Sequence, residues 1–287
     1  MKTLVYLCSL LLLGACCCIT YSQDRIQSGE LTVENGTLYY ETIGHGPPLV
    51  FIHGGQMDRR MWDPQLDAFR KNFQIIRYDV RGYGKSTLPT KPYSHVDDLA
   101  ALLRHLNITK ATLVGLSLGG VIAIDFTVLH PDMVDRLILS GPGLSGFQES
   151  PDVDARFWAI VEAARDSGYS KAADLWMRDP YMVPAMANTL CKDKIRQIVN
   201  DNSHCWLNNP MVERSIKPPA VQRLHDIKTP TLLIVGDRDV PEIHAIADTL
   251  EKSITGIKKV VIKGVGHIAN MENPGEFNSA VADFLKN

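Results

Sequence analysis

A chain of 287 residues is long enough for one large core, or for a core carrying a small inserted domain. Its composition, 45% hydrophobic and 22% charged, is that of a globular protein and excludes a disordered or fibrous one. A formal net charge of -2, from 30 Lys+Arg against 32 Asp+Glu, calls for neither a nucleic-acid partner nor an acidic surface.

The N-terminal stretch "MKTLVYLCSLLLLGACCC" has one lysine, an apolar run and then small residues. It reads as an export signal over residues 1–22, and its apolar run is short for a spanning helix. Leu13-Gly14-Ala15-Cys16 resembles the bacterial lipobox, in which the cysteine is lipidated and becomes the new first residue. Cys16 would then anchor the protein at a membrane surface without a spanning helix. Cleavage after Ser22 would instead release a soluble protein. The expected location is therefore outside the cytoplasm, as a periplasmic or membrane-anchored lipoprotein or a secreted protein. Of the six cysteines only Cys191 and Cys205 lie beyond this segment. Export permits a disulfide between them. The intervening "CKDKIRQIVNDNSHC" reads as a helix of about ten residues, whose ends stand roughly 15 Å apart, and this works against the bond. "CCC" has no histidine or acid nearby and makes a poor metal site.

Next in the chain, "LTVENGTLYYETIG" reads as strand, Asn35-Gly36 turn, strand. Six apolar runs follow at intervals: "PLVFIH", "QIIRYD", "ATLVG", "RLILSG", "TLLIVG" and "KVVIKG". Each is short and continuous rather than alternating, as expected of strands covered on both faces of a parallel sheet. Helical patterns lie between them. In "SHVDDLAALLRHL", Ser94 stands three before Asp97 in a capping-box-like start, and Val96, Leu99, Leu102, Leu103 and Leu106 share one stripe. "PGEFNSAVADFLKN" predicts a closing helix. Alternating strands and helices define an α/β class with a mostly parallel central sheet. From about Leu144 to Asp226 no strand run appears, and "DVDARFWAIVEAARDSG" and "TLCKDKIRQIVNDN" look helical. The expected organisation is an export signal at 1–22, core at 23–143, a helical cap at 144–226 and core again at 227–287. Most of the cap's aromatics (Phe157, Trp158, Trp176, Trp206) are expected to be core, with one or two lining a pocket.

Open α/β sheets bind ligands at the C-terminal ends of their strands. "GLSLG" places Ser117 there, between Gly115 and Gly119, in the G-x-S-x-G pattern of a nucleophile elbow. A serine hydroxyl needs a base, and the base needs an orienting group. Downstream, "TLLIVGDRDVP" offers Asp237 and Asp239 past one strand, and "KVVIKGVGHIANMENP" offers His267 past the next. The order Ser, acid, His suits this chemistry. Asp239 is the preferred acid, with Asp237 as a loop or capping residue. Backbone N–H groups of Gly55, in "VFIHGGQM", and of Leu118 would hold an oxyanion. His53 is read as shaping that loop.

With these residues together, the chain resembles the α/β-hydrolase superfamily over roughly residues 30 to 287. The resemblance rests on "HGG", "RYDVRGYGKS" (Asp79, Arg81, Gly82, Gly84, Ser86), "GLSLGG", "GDRD" and "GVGH". In that superfamily the acid usually stands as G-x-x-D, which points to Asp239. "MWDPQLDAF", "RYDVRGYGKS" and "VGLSLGGVIAI" are similar to 3-oxoadipate enol-lactonases and small serine carboxylesterases. The resemblance implies an α/β-hydrolase fold with a cap, hydrolysis of a small-molecule ester or lactone through a Ser117 acyl-enzyme, and no metal or organic cofactor. The rival readings are a catalytically weak binding or receptor protein on the same fold and, among enzymes, a C–C bond hydrolase or an aminopeptidase.

Overall fold

Eight strands form one sheet in the order β1-β2-β4-β3-β5-β6-β7-β8. They are β1 (Gln27–Val33), β2 (Gly36–Ile43), β3 (Pro48–Ile52), β4 (Gln74–Tyr78), β5 (Ala111–Leu116), β6 (Val134–Ser140), β7 (Thr231–Gly236) and β8 (Lys258–Ile262). β1 and β2 pair antiparallel, as do β2 and β4, and all later pairs are parallel. This is a computed structural model, and it describes residues 25–207 and 212–286. The export segment, Cys16 and the cleavage point after Ser22 lie outside the described residues.

The continuous apolar runs follow from burial on both faces. Leu49, Phe51, Ile75, Val114 and Ile138 point into one core, where they meet Trp62, Phe69 and Phe277. Their neighbours Val50, Ile52, Ile76, Leu113 and Leu137 point into the other. There they pack on α2 (His95–His105), α3 (Leu118–Leu129) and α8 (Pro241–Ser253). Alternate residues thus need apolar side chains for opposite reasons, and the period-two signal disappears. The first face is covered by α1 (Asp63–Phe69) and the closing helix α10 (Pro274–Leu285). Ser94 caps α2 as its spacing predicts, its Oγ accepting from the Asp97 N–H at 3.2 Å.

One turn falls a residue earlier than expected. Val33 pairs with Gly36, so the hairpin loop is Glu34-Asn35, with Asn35 carrying the positive φ of 60°. Gly36 serves a different need: a Cβ there would come within 2.6 Å of Arg81 Nη1.

Between β6 and β7 run α4 (Pro151–Ser167), α5 (Tyr169–Trp176), α6 (Val183–Ala187) and α7 (Lys192–Asp201). α5 and α6 are short and had no clear pattern in sequence; Gly168, at φ 88°, separates α4 from α5. This insertion has a small core of its own around Ile160, Ala164, Ala172 and Trp206. Polar contacts tie it to the sheet. Asn202 donates to Asp58 Oδ2 at 2.8 Å and accepts from the Gly84 N–H at 2.7 Å, and Arg60 reaches Asp201 at 2.8 Å. Cys191 and Cys205, at either end of the α7 region, are both buried free thiols. Burial pushes each thiol up to about 12, which keeps them protonated and unreactive.

Candidate active site

β5 ends at Leu116 and α3 begins at Leu118, so the chain reverses on Ser117 alone. Ser117 sits at φ 53°, ψ -113°, a region that side-chain-bearing residues rarely occupy and that marks functional turns. Its backbone is held from both sides. The N–H donates to Ser140 O at 3.2 Å, and the carbonyl accepts from Gly120 and Gly143 at 2.8 and 3.1 Å. The flanking glycines answer to packing. A Cβ on Gly115 would collide with the Gly119 carbonyl, and one on Gly119 with the Ile52 carbonyl. Helix and strand therefore approach more closely than any side chain allows.

His267 follows β8, and its Nδ1 lies 3.1 and 3.2 Å from the two carboxylate oxygens of Asp239, which follows β7. A carboxylate only accepts, so Nδ1 carries the hydrogen and Nε2 is left as the basic nitrogen. Asp239 itself is oriented by the Val240 N–H at 2.8 Å. Asp237 does something else: it accepts from the Gly264 N–H at 2.7 Å and braces the loop leading to His267. Among the described residues the hydrogen-bond chain runs from Asp239 to His267 and stops short of Ser117. Such contacts tighten when substrate binds.

Two parts of this site escaped the sequence reading. Glu272, in the short helix α9 (Ala269–Glu272), is buried and accepts from the Gly266 and Ile268 N–H groups at 2.9 and 3.0 Å. It clamps the backbone on both sides of His267. Burial raises its carboxyl above the usual range, and those two N–H groups oppose the rise. Gly141, just past β6, is the second. At φ 44°, a Cβ there would sit 3.0 Å from Asp239 Oδ2 and 3.1 Å from His267 Nδ1. Its signal was only a glycine after a strand.

The opposite wall comes from the loop after β3. His53 is fully buried, accepts the Val80 N–H on Nε2 at 2.8 Å and donates from Nδ1 to Gly54 O at 2.7 Å. Burial holds it below the ordinary histidine range, so it stays neutral. It shapes the loop that presents Gly55. The Tyr83 ring stands edge-on to it at 5.4 Å. The "RYDVRGYGKS" segment supports this wall from below. Asp79 accepts from Arg59 N and Nη1 at 3.0 and 2.8 Å and from the Lys85 N–H at 2.8 Å. Arg81 grips Asp98 through two bonds of 2.8 and 2.6 Å.

A cavity of about 540 Å³ brings Gly55, Ser117, Leu118 and His267 together. Its remaining lining is largely apolar and comes substantially from the insertion, including Phe157, Trp158 and Trp176. Most of the insertion's aromatics therefore face ligand space rather than core. Trp206, buried, lines a smaller side chamber of about 160 Å³ with Phe157 and Trp158. The Tyr181 ring stands edge-on to His267 at 4.8 Å. The residues of the expected site thus lie in one place, at the C-terminal ends of the parallel strands, where open α/β sheets hold their ligands.

The profile of the alpha/beta hydrolase family matches residues 49–280. The AB hydrolase superfamily protein YisY of Bacillus subtilis is 30% identical over 269 aligned positions, a match that covers 88% of this chain and 97% of that one. The 3-oxoadipate enol-lactonase 2 of Acinetobacter baylyi is 28% identical over 89% of this chain and 96% of its own length. Among solved structures, a thermophilic esterase from Thermogutta terrifontis superposes with a TM-score of 0.75 at 28% identity, over 91% of this chain and 98% of that one. The chain belongs to the alpha/beta hydrolase family.

Proposed function

We propose that this chain is a serine hydrolase that cleaves carboxylic esters or lactones through an acyl-enzyme on Ser117. The observation that carries the reading is the convergence of Ser117, His267 and the Gly55 and Leu118 backbone on one cavity, with Asp239 behind the imidazole. Relatives described as an enol-lactonase and an esterase support the substrate class.

In the first half-reaction Ser117 Oγ attacks the substrate carbonyl carbon while His267 Nε2 takes its proton. Asp239 keeps the proton on Nδ1 and stabilises the imidazolium. The carbonyl oxygen, now negative, is held by the Gly55 and Leu118 N–H groups. The C–O bond to the leaving group breaks, and His267 returns the proton to the departing oxygen. In the second half, water gives a proton to His267 and attacks the acyl carbon. The Ser117 ester bond breaks, Ser117 regains its proton, and the acid departs. The sequence uses no metal or organic cofactor.

The test is labelling with a serine-directed fluorophosphonate followed by peptide mass spectrometry. One label per chain on Ser117 is expected; labelling elsewhere, or none in a folded protein that also leaves chromogenic esters intact, would sink the reading. We further propose that the chain works outside the cytoplasm, supported by the signal-like residues 1–22 and the lipobox-like Leu13–Cys16. A mature protein that begins at an acylated Cys16 is the expected mass-spectrometric result. A start at Gln23 would leave export standing and end the lipid anchor, and an intact Met1 would end both.

A further inference from the structure

The cavity is apolar, and its charges are unequal. Glu149, Asp154, Asp179 and Arg156 line it together with the candidate catalytic residues. Arg156 is already taken: its Nε donates to Asp179 Oδ2 at 3.0 Å, and the Asp179 side chain is only 5% exposed. Among the described residues, neither Glu149 nor Asp154 is paired with a cation. Burial, followed by repulsion from Asp154 and Glu242, raises the Glu149 carboxyl above its usual range, which reports how closely these acids crowd. The side chamber, which shares Tyr83, Leu118 and Phe157 with the main cavity, repeats the pattern. Its Arg81 charge is paired with Asp98 through Nε and Nη2 at 2.8 and 2.6 Å, while its buried Nη1 has no hydrogen-bond partner among the described residues. Its Glu213 lies 3.9 Å from His95, which burial and the Arg81 charge hold down to about 3 and so leave neutral. Among the described residues, both guanidinium groups that line the two spaces are therefore matched by buried carboxylates, and the carboxylates of Glu149, Asp154 and Glu213 are not matched.

We propose that the cavity selects uncharged esters with an apolar acyl chain, and that an ester or lactone carrying a carboxylate, the lactone of a dicarboxylic acid included, is a poor substrate for this chain. The inference rests on the serine-hydrolase reading and deepens it. Its physics is simple. A substrate carboxylate would leave water for a low-dielectric space already net negative, where each guanidinium charge is already paired with a buried carboxylate. An alkyl end loses only water and gains contact with Val153, Ile160 and the aromatic rings.

Three chromogenic esters of matched length test this: 4-nitrophenyl pentanoate, mono-4-nitrophenyl glutarate, and methyl 4-nitrophenyl glutarate as an uncharged polar control. At low ionic strength, kcat/KM for the pentanoate and the methyl ester should each exceed that for the charged glutarate by about 10-fold or more. The ratio should fall as salt is raised. In a Glu149→Gln, Asp154→Asn double variant it should shrink to about 3 or less, because both changes keep shape and remove charge. A charged glutarate cleaved as fast as the pentanoate overturns the inference, and so does a ratio that the double variant leaves unmoved. A preference for the charged ester that Arg156→Gln abolishes would show Arg156 to be a carboxylate anchor and overturn it outright. Failure of the parent reading looks different: none of the three esters is cleaved and the fluorophosphonate leaves Ser117 unlabelled.

Discussion

The two sides of the cavity are built by different means. On the sheet side, the groups assigned to chemistry sit within a few residues of a strand end, and backbone hydrogen bonds between neighbouring strand ends hold the turns there. Ser117 N–H reaches Ser140, Gly141 N–H reaches Ile234 at 2.9 Å, and Arg238 N–H reaches Val265 at 2.9 Å. On the insertion side the wall is made of side chains on α4 and α5. Two of them, Phe157 and Trp158, remain 44% and 53% exposed. The insertion's own core is small, and it is joined to the rest by apolar packing of Met177, Met182, Ile195 and Ile198 into the core on one sheet face and by polar contacts: Asn202 to Asp58 and Gly84, Asp201 to Arg60, and Ser145 to Asp125. The two constructions divide the labour. Reactive atoms need fixed positions and are carried by hydrogen-bonded backbone. Substrate selection needs surface and charge, and it is carried by side chains that can change without disturbing the sheet.

The largest expected effect breaks the sheet side at its centre. Ser117→Ala should lower turnover of a small chromogenic ester by about 10⁴-fold or more while the far-ultraviolet circular dichroism spectrum stays the same. Retained turnover would remove Ser117 from the mechanism. Glu272→Ala should cost both rate and stability, because two buried N–H groups lose their acceptor. A fall in kcat of roughly 10- to 100-fold is expected, with about 1–3 kcal/mol lost in urea unfolding. A rate unchanged within twofold would show that His267 needs no such clamp.

The joint between the two regions is tested by Asp125. Its buried carboxylate accepts from Ser145 Oγ at 2.6 Å, and Ser145 Oγ in turn accepts from the Ala220 N–H at 2.9 Å, so one group meets both ends of the insertion. Burial raises Asp125 from 3.8 to about 6. The folded state therefore holds this proton more tightly than the unfolded chain does. The cost of ionising it is absent below about pH 4, grows as pH rises to about 6, and is fully present at pH 7. Asp125→Asn should stabilise the protein by roughly 1–3 kcal/mol at pH 7 and by nothing at pH 4, as read by calorimetry at the two pH values. Equal effects at both would show that the group does not titrate in this window. The smallest effect is on the insertion wall. Trp158→Ala should raise KM for longer acyl chains about 2- to 5-fold and leave kcat nearly unchanged. A kcat loss like that of Glu272→Ala would erase the division between the two sides.

Reading from sequence succeeded where a local pattern carries the physics. Five of the six apolar runs became strands because burial on both faces demands apolar side chains at consecutive positions, the sixth, β8, became the sheet's edge with Val261 exposed, and α2 was marked by its cap and stripe. The motif residues Ser117, Asp239 and His267 could be picked out because tight turns after strands leave glycines beside them. Other features left no local trace. Glu272 and Gly141 look ordinary in sequence; they matter because α9 folds back under His267 and because β6 ends beside Asp239. Which of Phe157, Trp158, Trp176 and Trp206 line the pocket was not legible, since an aromatic residue on a helix has the same sequence signature whether it faces protein or a cavity.

The local chain pattern suffices to mark the strands, the longer helices and the glycine-flanked turn at Ser117, since these follow from backbone periodicity and from sterics within a few positions. Tertiary contacts settle what holds the loop around His267, and that Arg156 and Arg81 are each paired with a buried carboxylate where the cavity's other acids are not. Those outcomes depend on contacts between residues far apart in the chain, and no local pattern records which distant partner a charge will meet.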